Sequence, residues 1–398
     1  MSTSYNPPDL GRLQRYALIV GVIALVLFLA GLIGDHAAFH QAYIFAFTFW
    51  LGISVGSLAL LMLQHLTSGG WGFVIRRVLE AATRVLPLMA ILFLPIVLGA
   101  GYVYPWTHHE EALKLGDKTK YLNLTFFTIR AIIYLGSWLA LMFFLNRWSL
   151  AQDRTADPYY TKRMRMLSGP GMVLLIFTVT FASVDWYMSI EPEWFSTIYG
   201  FIYVAAWAVS ALAFVIATMA VLSKREPLNH IVAPLHFHDH GKLLLALVML
   251  WAYFAFSQFL IIWSGNLPEE IGWYTKRMHG VWGALIIGVV ILHFALPFLL
   301  LLSRSLKRDP RKLVIVAAMI LVMRVIDLLW MLRPGFSGGH SEGAAPNVLL
   351  VIALHVVGFV AIGGLWLGLF ARELGKRSLI PINDPQYESV LEQAHAGH

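Results

Sequence analysis

The chain has 398 residues, of which 59% are hydrophobic and 13% charged, with a net charge of +7 and no cysteine. So apolar a composition is that of a membrane protein rather than a water-soluble globule. The lack of cysteine excludes disulfides, thiolate metal sites and iron–sulfur clusters held by this chain, so electrons in any redox reaction must move in a bound ligand or a partner.

About 18 to 20 apolar residues cross a bilayer as a helix. Ten stretches meet that length, near 15–35, 43–66, 84–105, 123–146, 169–188, 198–222, 241–264, 281–302, 313–333 and 347–371. The longest connection, about 147–168, is too short to bury a core of its own, so residues 1–398 read as one integral-membrane domain. In the first span, Arg12 and Arg15 precede the apolar run and Ala37 and Ala38 follow it, as in a secretory signal. The run is longer than an ordinary signal core, and a retained helix is expected. Counting connections alternately, 21 of the 29 Lys and Arg fall on one side, among them Arg76, Arg77 and Arg84, and 6 on the other. Cytoplasmic loops carry the excess of Lys and Arg, which places both termini and the tail 372–398 in the cytoplasm. The positive charge thus reports topology and speaks against a nucleic-acid partner.

Along the chain, Ser54 and Ser57 share the second span with Gly52 and Gly56, whose spacing favours close helix packing. Pro95 and Pro297 mark candidate breaks in the third and eighth spans. Arg130 lies about two turns into the fourth span, Asp185 near the end of the fifth, and Arg324 and Asp327 three apart on the ninth. The topology puts all four in the outer half of the membrane, with Gln258 of the seventh span at similar depth. Charges inside spans are costly and normally mark paths or partners. Two readings stand: ion pairs that hold helices together, Arg130 with Asp185 and Arg324 with Asp327, or groups on a proton path. Thr178, Thr180 and Ser183 extend a polar line inward from Asp185, although such hydroxyls commonly bond back to their own helix.

The run His236-Phe237-His238-Asp239-His240 is read as a loop before the seventh span. Its three imidazoles converge on a metal only if the backbone is extended; the structural alternative, which the reading favours, has Asp239 capping the helix. His293 and His355, one per helix, with His65 at the inner end of the second span, make a weak haem pair; the alternative is neutral, hydrogen-bonded histidines.

The ends of the fifth and ninth spans share a pattern. An aliphatic residue precedes Asp185 or Asp327, a proline follows seven residues on (Pro192, Pro334), and an aromatic two further (Trp194, Phe336). This predicts two parallel four-helix repeats, 43–188 and 198–333, with the first and tenth helices outside them: an all-α membrane protein of about ten transmembrane helices. The outer connections are rich in Trp, Tyr and Glu, which suits an interfacial belt and also a docking face for partner subunits.

The stretches from Asp185 to Gly200, Asp239 to Leu244, Trp251 to Gln258 and Ile262 to Glu270 resemble the membrane subunits of bacterial alternative complex III, within the NrfD-like (polysulfide-reductase anchor) superfamily. The likeness runs over essentially the whole chain; His240 departs from it, standing where an apolar residue is expected. The resemblance implies a non-redox subunit in the electron-transport chain of a bacterial inner (plasma) membrane, part of a complex that oxidises quinol and passes electrons to haem and iron–sulfur clusters in partner subunits. Those partners would be a sister subunit holding the main quinol site, an iron–sulfur subunit, c-type cytochrome subunits and a terminal oxidase, set among lipids. Quinone or menaquinone in this subunit itself is disfavoured by the lack of a His in the outer half of the second to fifth spans. The role expected is therefore scaffolding, with a proton path drawn from Arg130, Asp185, Arg324, Asp327, Gln258, Thr178, Ser183, His293 and His355. A quinone-binding anchor and a stand-alone secondary transporter remain as alternatives.

Overall fold

The computed structural model describes residues 8–338, 348–381 and 383–396. Residue 347, with which the tenth span was expected to begin, and residues 382, 397 and 398 of the tail lie outside them. Ten helical spans long and apolar enough to cross a membrane are present among the described residues. They are α1 (Gly11–Gly34), α2 (His36–Thr67), α3 to α5 together (Gly70–Thr83, Leu86–Ile91, Leu94–Leu98), α8 (Leu124–Thr155) and α9 (Pro158–Trp186). There follow α10 (Tyr199–Leu222), α11 (Pro234–Gly265), α13 (Gly280–Val289) continued by α14 (Leu296–Leu302), α16 (Pro310–Leu332) and α17 (Val348–Leu374). Short helices α6 (Ala100–Val103), α7 (His109–Lys114), α12 (Pro268–Met278), α15 (Arg304–Arg308) and α18 (Tyr387–Ala396) connect or follow the spans.

Helix α2 is the central post. Its most apolar window is 94% buried, against 22% for α1, and it packs on α3, α9, α10 and α17. Helices α8 and α9 pair with each other, α10 packs on both α11 and α16, and the α13–α14 span lies against α16 and α11. Helix α1 rests mainly on α17. At their crossing Gly21 and Gly364 leave backbone on backbone; a Cβ at Gly21 would sit 2.7 Å from the Leu365 amide nitrogen.

The connection expected at 147–168 is helical instead. Helix α8 runs on to Thr155 and turns back through Ala156, in the left-handed region at φ 53°, and Asp157, whose side chain caps the Tyr159 amide at 2.8 Å. At 1.5 Å per residue the 32 residues of α8 span about 48 Å, longer than the roughly 30 Å hydrocarbon layer.

The third span also departs from expectation. It begins at Gly70, so Arg76 and Arg77 belong to a buried helix, and Arg84 is the C-cap of that helix, rather than to a loop. It is broken at Arg84–Val85 and again at Leu92–Phe93, with Pro87 and Pro95 each in the first turn of a new segment. The Tyr43 hydroxyl donates to the Leu92 carbonyl at 2.7 Å, so a carbonyl at the break finds a partner. The eighth span is interrupted by a π-helical turn, Val290–Ala295, just before Pro297.

The His236–His240 run lies in the first turns of α11. A helical backbone sends His238 to a different face from His236 and His240, so the geometry needed for metal convergence is not met. The cap is not Asp239: the His236 Nδ1 accepts from the Ala233 amide at 3.0 Å, while Asp239 pairs with Lys242. His240 is fully buried and bonds the Trp71 carbonyl at 2.7 Å, which explains a polar residue at an apolar position. The tail after α17 does not hang free. Leu379, Ile380 and Val390 are buried, and Asn383 donates to the Asp153 carbonyl at 2.7 Å.

Candidate functional site

The structure brings Arg130 of α8 and Asp185 of α9 into a two-point ion pair. The guanidinium Nε and Nη2 donate to the two carboxylate oxygens at 2.8 and 3.0 Å. The Tyr134 hydroxyl donates to the same carboxylate at 2.8 Å. Asp185 is wholly buried, whereas Arg130 reaches outward, with its Nη1 on the Tyr121 carbonyl at 3.1 Å and its guanidinium 3.8 Å over the Tyr121 ring. Tyr121 lies outside the spans; burial, then the Asp185 charge, raises its phenol above its ordinary range and keeps it a neutral donor.

Arg324 and Asp327 pair directly along one face of α16 and are both buried. The Arg324 guanidinium lies 6.0 Å from the Trp251 ring, and His293 stacks on the same indole at 4.2 Å. Neither imidazole nitrogen of His293 has a partner, nor do the Trp251 Nε1 and Arg324 Nε. The expectation of a hydrogen-bonded His293 therefore fails. The ring sits on the π-helical turn Val290–Ala295 and stacks on Trp251. His355 does bond, to the Val351 carbonyl at 2.8 Å, and packs near Phe45. The two histidines thus face different neighbours.

Gln258 accepts from the Ser196 hydroxyl at 2.8 Å and donates to the Tyr274 hydroxyl at 3.3 Å. With Asp327 it lines a crevice of about 770 Å³ between α11, the α13 span and α16. Burial pushes the Tyr274 phenol up to about 12. The hydroxyls below Asp185 are tied to their own helix: Thr178 to the Leu174 carbonyl at 2.8 Å, Thr180 to Ile176 at 2.8 Å and Ser183 to Thr180 at 2.7 Å. Thr178 also accepts from the Trp138 indole at 2.8 Å. Their hydrogen bonds support α9 and its seam with α8; none runs to Asp185.

Two charged clusters escape sequence reasoning. At the end of the bundle where α3 meets α8 and the tail, Glu80 accepts from Arg76 at 3.1 Å, Arg77 at 2.7 Å, Arg84 at 3.4 Å and the Ser149 hydroxyl at 2.5 Å, with Arg377 at 3.8 Å. Arg76 also bonds Asp384 of the tail at 2.5 Å, and Arg77 bonds Asp153 at 2.5 Å. Arg377, outside the spans, has its pKa lowered by burial, against the raising pull of Glu80. The spacing of Arg76, Arg77 and Glu80 at i,i+4 and i,i+3 was the available signal, obscured by reading the segment as a loop. At the opposite end, buried Arg277 of α12 donates to Glu191 at 2.5 Å and to the Met331 carbonyl at 3.0 Å, joining the segment after α9 to the end of α16. Its guanidinium lies 3.8 Å over Trp273, which stacks on Trp194 at 4.8 Å. No local pattern links residues 86 apart.

Among the described residues no three His, Asp or Glu side chains are grouped to hold a metal. No protein-family description and no curated protein matches the chain.

Proposed function

We propose that the chain is the membrane-embedded, non-redox subunit of a quinol-oxidising respiratory complex in a bacterial plasma membrane, where it scaffolds its partners and offers proton-exchanging groups in the outer half of the bilayer. The partners are a sister subunit with the main quinol site, an iron–sulfur subunit and c-type cytochromes, delivering electrons to a soluble carrier or terminal oxidase. The motif resemblance supports the setting. The observation that carries the proton role is the Arg130–Asp185 pair: its carboxylate is buried while its guanidinium touches Tyr121, beyond the end of the span. An intramembrane charge pair open at one end is suited to passing protons to that side. The Arg324–Asp327 pair is its counterpart at the corresponding end of α16.

Quinol-driven proton translocation by the purified complex in liposomes tests this, with Asp185→Asn and Asp327→Asn against wild type and assembly checked. Lost translocation with electron transfer retained supports a proton path. Full translocation in assembled variants makes both carboxylates structural.

A transporter reading draws on the interrupted third and eighth spans. Against it, Leu92 at the break before Pro95 already has a partner, and the residues around that break, Ile91 to Val97, are apolar. Solute uptake by the chain alone in liposomes would favour it.

A further inference from the structure

We infer that the crevice between α11, the α13 span and α16 holds one acyl chain of a bilayer glycerophospholipid. Its walls are almost wholly apolar, formed by residues such as Met249, Ala252, Ile286, Val289 and Phe294. At about 770 Å³ it lies within the range of single-ligand cavities, roughly 300–1,000 Å³. An apolar cavity does not fill with water. Left empty, it forfeits the dispersion contacts of every wall atom.

The polar groups of the lining do not call for a polar head. Gln258 is occupied by Ser196 and Tyr274, and Asp327 by Arg324. The partnerless indole nitrogen of Trp251 is itself buried, so this side chain offers the crevice carbon rather than a donor. A ligand with a ring of carbonyls would find few free partners, while a hydrocarbon chain needs none.

Access fits the same occupant. Among its lining, Tyr253, Phe256, Ile287 and Ile291 are exposed on the flank of the α11 and α13 spans, where a flexible chain can enter from the side. Trp273, Tyr274 and Met278 of α12 line it where α12 follows α11. The chain then forms the missing wall over Asp327 and keeps the Arg324–Asp327 pair out of water. Only this last consequence rests on the proton role proposed above.

The test is native mass spectrometry with lipid extraction on the complex purified in mild detergent. Wild type is compared with Ala255→Trp, which projects an indole from the α11 wall, and with the milder Ile286→Phe. Wild type is expected to retain one phospholipid per chain more than either variant. Equal phospholipid counts in wild type and an assembled variant overturn the inference. So does loss of a quinone or a polypeptide in place of phospholipid. If Ala255→Trp fails to assemble, Ile286→Phe alone decides. Phospholipid loss together with unaltered proton translocation in Asp327→Asn would keep the lipid site and sink the proton path.

Discussion

Replacing Glu80 by Gln should be the most damaging single-atom change in the chain. The carboxylate is 1% exposed and receives three guanidinium N–H groups, from Arg76, Arg77 and Arg84, and one hydroxyl, with Arg377 also within 4 Å. The amide keeps one acceptor oxygen and puts an NH₂ where the second stood, so a donor of Arg76 or Arg77 then meets a donor. Neither arginine can swing to water, both being buried. Stranding one partner of a buried pair costs about 3–5 kcal/mol, which is roughly three powers of ten in the ratio of folded to unfolded protein. Unfolding in mixed SDS–detergent micelles, followed by tryptophan fluorescence, measures it. Lys114–Glu111 serves as control: it has the same 2.7 Å separation as Arg77–Glu80 but lies in the open, and Glu111→Gln should change nothing measurable. A loss below about 1 kcal/mol for Glu80→Gln, the scale of a surface pair, would show that the Glu80 cluster is solvated and the reasoning wrong.

Asp384→Asn keeps an acceptor for Arg76 but removes the charge, so a loss of about 1–2 kcal/mol is expected. Limited proteolysis should then cut after α17 faster than in wild type, and an unchanged rate would detach the tail from the cluster. Gly21→Leu forces α1 off α17 and should lower stability by about 1–3 kcal/mol; an unchanged melting temperature would mean that the crossing is loose. Tyr274 has a folded pKa of about 12 against 10.0. Its neutral form therefore adds stability that is whole below pH 10 and is lost as pH rises to 12. Tyr274→Phe should melt with a shallower decline over pH 10–12, and parallel curves would refute the shift.

What the sequence makes legible is what repeats along a single helix. Ten apolar runs stand out because their length is set by the bilayer, and Arg130, Asp185, Arg324 and Asp327 because they interrupt such runs. Pairing within three residues, as in Arg324–Asp327, is written in helical spacing. What stays hidden is whatever depends on two distant segments meeting. Arg277 reads as one more loop cation until Glu191 and the Met331 carbonyl enclose it. Arg76 and Arg77 read as topology-setting charges because hydropathy averages cannot tell a solvated arginine from one buried among Glu80, Asp153 and Asp384. The crevice is equally invisible, since an apolar wall and a lipid-facing flank have the same composition.

The burial of α2 bears on how the chain is made. Its neighbours α10 and α17 begin at Tyr199 and Val348, far behind its own end at Thr67. At about 5–20 residues per second, the roughly 280 residues between Thr67 and Val348 take on the order of half a minute to synthesise. Throughout that interval the flank of α2 that α17 will cover stays open, and the Trp50 indole lacks the Phe359 carbonyl to which it donates at 3.1 Å in the finished protein. Slow translation would prolong this exposure and quick synthesis would shorten it, so the yield of folded protein should track elongation speed.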